Sequence, residues 1–250
     1  SYTAPTPDSA TTNKATQDVV GNDAVSLAGV TATNNSQVAP AKVLTTAAET
    51  VTGTENDDVI TATVSASTGT LNGADAIDGG AGDNTINITV DGNFDGFTTA
   101  GSMKNVQNVN LSTTTANSTD GFTFNATGAK GVNNYSIDGT KNSPLNVTGA
   151  SSLANVNLYS LAKGKLGVTY DSTSTTSPAL AANTTDVQKV SVTNVGGTSA
   201  IDVSINGVET LQLTSSGTAN SVALANATAT KTVTIAGEAK TTVTSVPSVL

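Results

Sequence analysis

The residues of this chain best suited to chemistry are carboxylates and glycines, and they crowd into one segment. The stretch TAAETVTGTENDDVITATVSASTGTLNGADAIDGGAGDNTINITVDG holds Asp57, Asp58, Asp75, Asp78, Asp83 and Asp91. Two runs in it approach the nonapeptide G-G-x-G-x-D-x-U-x, with U apolar, which marks ion-binding turns of parallel β-rolls. The run GTENDDVI starts at Gly53, with Glu55 and Asp57 between the pattern positions. It has Asp58 at the Asp position and Ile60 at U, but Thr54 and Asn56 replace two glycines. The run GGAGDNTI starts at Gly79 and matches every glycine, Gly80 and Gly82 included. Asn84 takes its Asp position, and Asp83 comes one residue earlier. The first turn has the acid without the glycines, and the second has the glycines with a displaced acid.

Such turns suit a hard cation. Calcium takes six to eight oxygens. Glycines at positive φ let backbone carbonyls point at the ion, the Asp adds charge, and the following apolar residue anchors a strand. One turn supplies part of a shell, and two stacked turns complete it. Asp75 and Asp78, in GADAIDGG, stand ready as further carboxylates. The plainer reading is ordinary Asp/Asn-Gly turns without an ion. Two matches in one segment, with two more acids beside them, favour calcium. The candidate ligands are Gly53, Glu55, Asp57, Asp58, Asp75, Asp78, Gly80, Gly82, Asp83 and Asn84.

The elements that would position these turns follow from alternation. Beyond residue 105 the pairs Val109/Leu111, Phe122/Phe124, Tyr135/Ile137, Leu145/Val147, Val156/Leu158 and Leu166/Val168 recur. After an interruption come Val190/Val192, Ile201/Val203/Ile205, Leu211/Leu213, Val222/Leu224 and Val233/Ile235. Apolar residues alternating with polar ones mark half-buried strands, and Gly, Asn, Asp and Ser fill the gaps as turns. A strand about every ten or eleven residues fits an antiparallel sandwich or a β-solenoid whose coil uses two such legs. Asn206-Gly207 is a hairpin signal and favours the sandwich locally. The even spacing and the small corner residues favour the solenoid. The expected fold is therefore all-β, a parallel β-helix-like solenoid with some antiparallel pairing inside it. Leu211, Leu213, Val222, Leu224, Val233 and Ile235 should line one core.

The organisation follows. Residues 1–45, with Pro5, Pro7 and Pro40, read as a linker or irregular segment holding one short strand within 19–30. Residues 46–100 form the acidic segment and 101–250 the strand repeat. The stretch 171–186, DSTSTTSPALAANTTD, lacks the pattern and should be a surface loop. The chain starts without Met and shows no signal peptide, so a piece of a longer protein is expected.

Composition excludes much. The 250 residues include no His, Cys, Trp or Arg, so Cys/His zinc sites and His-assisted nucleophiles are ruled out. A net charge of -9 speaks against nucleic acid. No apolar run reaches the roughly 18 residues that span a bilayer, so no transmembrane segment is expected. An ice-binding face needs Thr in two outward files, but Thr234, Ala223, Gln212 and Asp202 occupy those positions. A polysaccharide-cleaving carboxylate pair is disfavoured, because the remaining acids are scattered and 3% aromatics leave little to stack on sugars. No enzyme is expected. Lys163 and Lys165 read as solvated charges, or as contacts to an anionic surface such as lipopolysaccharide.

The phrases VTGTENDDVITA and TLNGADAIDGGAGDNTINI resemble the start of the calcium-binding part of RTX-type surface-layer proteins of Gram-negative bacteria. MKNVQNVNLST, INGVETLQLTSSG and KTVTIAGEAKTTVTSV resemble strand segments that recur in the same family. The resemblance spans about residues 46–250, and the acidic segment is its specific part. It implies type I secretion, an extracellular place on the bacterial surface, calcium-dependent folding and self-assembly into a sheet. The partner implied is a second copy. The displaced acid at Asp83-Asn84 departs from the family order. The family's long nonapeptide block and C-terminal export signal are not in this chain, which again points to a fragment. A segment of a large type I-secreted adhesin is the alternative.

Overall fold

The computed structural model describes residues 41–99, 101–116, 119, 121–170 and 186–246, with the backbone of 26–27 and 30–31 in addition. Every regular element among them is a strand. β1 (Ser26–Leu27) and β2 (Val30–Thr31) form a separate antiparallel pair. From there on, strands alternate between two sides of the molecule. One side is a nine-stranded sheet of β3 (Lys42–Val43), β5 (Val59–Ser65), β7 (Thr85–Asp91), β9 (Asn108–Ser112), β11 (Asn134–Asp138), β13 (Asn155–Tyr159), β15 (Val187–Thr193), β17 (Thr210–Ser216) and β19 (Thr232–Gly237). The other side begins as a three-stranded sheet of β4 (Thr50–Thr54), β6 (Ala76–Gly80) and β8 (Ser102–Lys104). It continues as a six-stranded sheet of β10 (Phe122–Asn125), β12 (Leu145–Ala150), β14 (Gly164–Tyr170), β16 (Ile201–Ile205), β18 (Asn220–Ala223) and β20 (Thr241–Ser245). From β3 on, each strand pairs with the strand two further along the chain, always in parallel and with β8 and β10 the one break, so the chain winds a β-solenoid of about eight turns.

All eleven apolar runs named above fall on β9 to β19, with Leu224 one residue past the end of β18. Alternation works because one face of each strand points into the coil. β5 and β7 show it plainly, with strict alternation of half-buried and buried residues. Register then stacks like on like. Ile60, Ile86, Val109, Tyr135, Val156, Val190 and Leu213 form one buried file, each the partner of the next. Phe124, Val147, Val168 and Ile205 form a second on the opposite side. Where the second side passes from β8 to β10, isolated parallel bridges join Phe94 to Phe124 and Met103 to Ala129. Phe94 stacks on Phe124 and meets Phe97 edge-on, each at 5.2 Å between ring centroids, so three rings fill the space the missing ladder leaves.

Three expectations change. Asn206-Gly207 is not a hairpin turn. Gly207 adopts a φ of 80°, but it turns the chain from β16 on one side to β17 on the other. Its flanking strands bond to the coils above and below, because a coil corner needs the same tight left-handed residue that a hairpin does. Antiparallel pairing inside the solenoid is also not found among the described residues, since every ladder from β3 to β20 is parallel. Finally, Leu211, Leu213, Val222 and Leu224 are buried, but Val233 is half-buried and Ile235 is 46% exposed. Both are in register with the inner file, at Leu211 and Leu213, but they belong to the last described coil, where no further rung covers them. Among the described residues no helix is long and apolar enough to cross a membrane. The expected strand within 19–30 falls partly on β1 and β2, and the expected 171–186 loop lies outside the described residues except for Asp186.

Candidate metal centre

The two acidic turns stack one coil apart. Residues 55–58 link β4 to β5, residues 81–84 link β6 to β7, and Asn105 with its neighbours links β8 to β9. The stacking is tight. A Cβ on Gly53 would fall 1.8 Å from the Gly79 carbonyl oxygen, and one on Gly79 would fall 2.0 Å from that of Asn105. No side chain fits there, which explains a glycine at both positions. Carbonyl oxygens therefore point along the stack from one turn toward the next. Gly80 and Gly82 adopt φ of 80° and 85°. Thr54 and Asn56, their counterparts in the first turn, do not have positive φ. The left-handed backbone sits in the second turn and the carboxylate in the first, as the two departures from the nonapeptide require.

Asp58 and Asn84 both turn inward and are fully buried. Asp58 Oδ2 accepts bonds from the Thr54 amide at 2.5 Å and the Thr54 hydroxyl at 2.9 Å. Its own amide donates to Asn84 Oδ1 at 2.7 Å. Asn84 Nδ2 donates to the carbonyls of Ala81 at 2.9 Å and Asn105 at 2.8 Å. One amide side chain thus ties three successive turns together. The backbone amide of Asn84 donates to Gln107 Oε1 at 2.8 Å, continuing the tie.

The remaining candidates separate. Asp57 Oδ1 accepts the Asp83 amide at 2.7 Å, and Asp83 Oδ1 accepts from Asn108 Nδ2 at 2.9 Å, so these two acids lie beside the stacked turns near the surface. Glu55 stays exposed on the first turn. Asp75 is fully buried on the next corner, where its two oxygens accept the amides of Glu49 at 3.0 Å and Asn72 at 2.9 Å. Asp78 pairs with Lys104 at 2.9 Å and also accepts from Asn105 Nδ2 at 2.8 Å. These bonds, with the Gly80 amide, hold its carboxyl down at about 2. Asp75 and Asp78 are therefore engaged in ties between coils rather than gathered at the 53–58 turn. Among the described residues no three His, Cys, Asp or Glu side chains form a group able to hold a metal.

What the first turn offers instead is oxygen without a partner. Asp58 Oδ1 and Asn56 Oδ1 are buried and accept no hydrogen bond. A buried carboxylate oxygen left bare costs about 1–3 kcal/mol or more, and two bare side-chain oxygens in one turn fit oxygen donors to a hard cation. Asn56 and Asn105 were not among the candidates read from the sequence. Asn56 replaces a glycine of the nonapeptide, which marks it as a departure from the pattern. Asn105, with a φ of 55°, lies in the MKNVQNVNLST phrase but outside both nonapeptide runs.

Asp91 shows the alternative use of a carboxylate. Burial pushes it up. Bonds from the hydroxyls of Thr113 and Thr114 and the amides of Thr115 and Thr114 outweigh that and hold it at about 2. It clasps the next coil through these bonds.

Comparison with known proteins returned no match: no family model, no curated protein and no solved structure aligns with this chain.

Proposed function

We propose that this chain is a structural segment of a calcium-stabilised, self-assembling surface-layer protein of the bacterial exterior. The observation that carries the proposal is the pair of bare, buried oxygens of Asp58 and Asn56, set in stacked glycine turns of a parallel solenoid. The turn phrases that resemble RTX surface-layer proteins support the same reading. In this view calcium neutralises Asp57, Asp58 and Asp83 and locks neighbouring coils. The solenoid supplies a stiff, repetitive wall for contacts with further copies. Heterologous contacts, in which one patch meets a different patch, extend into open arrays. The second reading is a stalk or binding module of a type I-secreted adhesin, and the groove described below favours it.

The test compares melts in chelator, calcium and magnesium, with electron microscopy of the full-length parent in calcium. Calcium should raise the melting temperature by binding only the folded state, and magnesium should do so less, since it prefers a small, largely hydrated shell. The parent should form ordered sheets. Identical melts in chelator and calcium would sink the calcium reading. A parent that stays monomeric in calcium would turn the proposal to the adhesin, and cleavage of a polysaccharide would overturn both.

A further inference from the structure

The outward face of the nine-stranded sheet holds a groove of about 610 Å³ lined by Asn87, Asn110, Ser112, Ser136, Asp138 and Tyr159. We propose that this groove binds a neutral oligosaccharide, with the Tyr159 ring as a stacking platform and the Asn and Asp side chains as hydrogen-bonding partners of its hydroxyls.

The argument starts from the ring. Among the described residues Tyr159 is the most exposed aromatic side chain, at 40%, while Phe122 is half-buried. Phe94, Phe97, Phe124, Tyr135 and Tyr170 are all buried. A chain this poor in aromatics gains nothing for its core from a ring on the outside, and an amphipathic ring at a groove wall presents a flat apolar face with a polar tip. The few aromatics told against sugar contacts in general, but the fold places the exposed one at the groove.

The polar groups beside it are planar and oriented. Asn87, Asn110 and Ser136 follow one another in register along one outward file. Asn110 Nδ2 donates to Asn87 Oδ1 at 2.8 Å, which fixes both amide planes. The Asn87 nitrogen and the Asn110 oxygen are left as one donor and one acceptor. Asp138 is the direct register partner of Tyr159. Its Oδ1 accepts the Thr140 amide at 2.8 Å and the Thr140 hydroxyl, which holds the carboxylate while Oδ2 stays available. Adjacent rungs lie about 4.8 Å apart, so these groups recur at regular steps. That repetition suits a chain of sugar units better than one compact molecule.

Charge selects the class of saccharide. Asp138 is the one charged residue lining the groove, and no lysine lines it. With a net charge of -9 on the chain, a polyanionic glycan is repelled, while neutral hydroxyls are matched by amides and a carboxylate. No residue of the 53–58 or 79–84 turns lines the groove, so the proposal stands apart from the calcium reading.

The test uses the whole chain and oligosaccharides derived from dextran, mannan, galactan and chitin, with oligogalacturonate as the anionic comparison. Binding is read by saturation-transfer NMR and isothermal titration, in chelator and in calcium. At least one neutral series should bind in both conditions, oligogalacturonate should not, and Tyr159→Phe should keep the affinity. Tyr159→Ala and Asn110→Ala should each weaken it about tenfold, equivalent to about 1.4 kcal/mol. Both positions point outward, and unchanged melting curves confirm that the variants fold. The proposal is overturned if no neutral series binds, if Tyr159→Ala and Asn110→Ala bind as the native chain does, or if the anionic series binds more tightly.

Discussion

Asn84→Asp restores the acid of the nonapeptide at a position where the amide now holds three turns together. Asp keeps the oxygen that accepts the Asp58 amide, but it loses the two donations to the Ala81 and Asn105 carbonyls. Both part-buried carbonyls then face the carboxylate of a fully buried residue. Two lost bonds remove about 2 kcal/mol, and the buried groups left unpaired add about 1–3 kcal/mol. Without calcium the change should therefore cost about 3–5 kcal/mol. For a domain of this size, with about 2–4 °C lost per kcal/mol, that is a drop of roughly 6–20 °C. With calcium the new carboxylate can join the bare oxygens of Asp58 and Asn56, and most of the loss should return. Asn84→Ala loses all three bonds, provides no ligand and should stay low in both conditions. Far-UV circular dichroism melts of the native chain and both variants, in chelator and in millimolar calcium, separate these outcomes. A native-like Asn84→Asp melt in chelator would mean the amide ties carry no stability. A calcium response no larger than that of the native chain would mean the turn does not take the ion.

Other expectations follow from single sites. Gly79→Ala should destabilise by about 3 kcal/mol or more, because the new Cβ meets the Asn105 carbonyl at 2.0 Å, a backbone atom that cannot move aside. Gly197→Ala meets nothing within 4 Å and should melt as the native chain does, a contrast read by the same scans. Leu213→Asp should unfold the C-terminal coils, since Leu213 is buried between Val190 and Ile235 and a lone carboxylate there has no partner. Gln212→Asp, on the exposed face of the same strand, should be tolerated, and equal denaturant midpoints for the two would refute the register. Asp91 has a folded carboxyl held down from 3.8 to about 2, so its stabilisation is complete above about pH 4 and is lost as pH falls toward 2. Asp91→Asn should be less stable at neutral pH and should lose less than the native chain between pH 4 and 2, measured by denaturation at stepped pH.

From β9 to β19 the sequence by itself determined where the strands lie and which faces turn inward. Alternation is a local property, written into Val109/Leu111 or Tyr135/Ile137 without reference to any partner, because neighbouring residues of a strand must point to opposite sides. It also marked Gly79, Gly80 and Gly82 as a special turn, since the glycine requirement is local to the backbone. Only the tertiary structure decided what the acids do. Asp75, Asp78 and Asp91 find their partners at Glu49, Lys104 and Thr113, each about one coil away in the chain. Coil length varies: register partners Ile60 and Ile86 are 26 residues apart, Tyr135 and Val156 only 21. No fixed spacing in the sequence therefore reports which side chains meet across a coil. The same variation hid the groove, because Asn87, Asn110, Ser136 and Tyr159 become neighbours only when four coils stack. A turn signal such as Asn206-Gly207 was equally blind to direction, since the residue pair sets the bend and the packing of the coils above and below sets which strand it leads to.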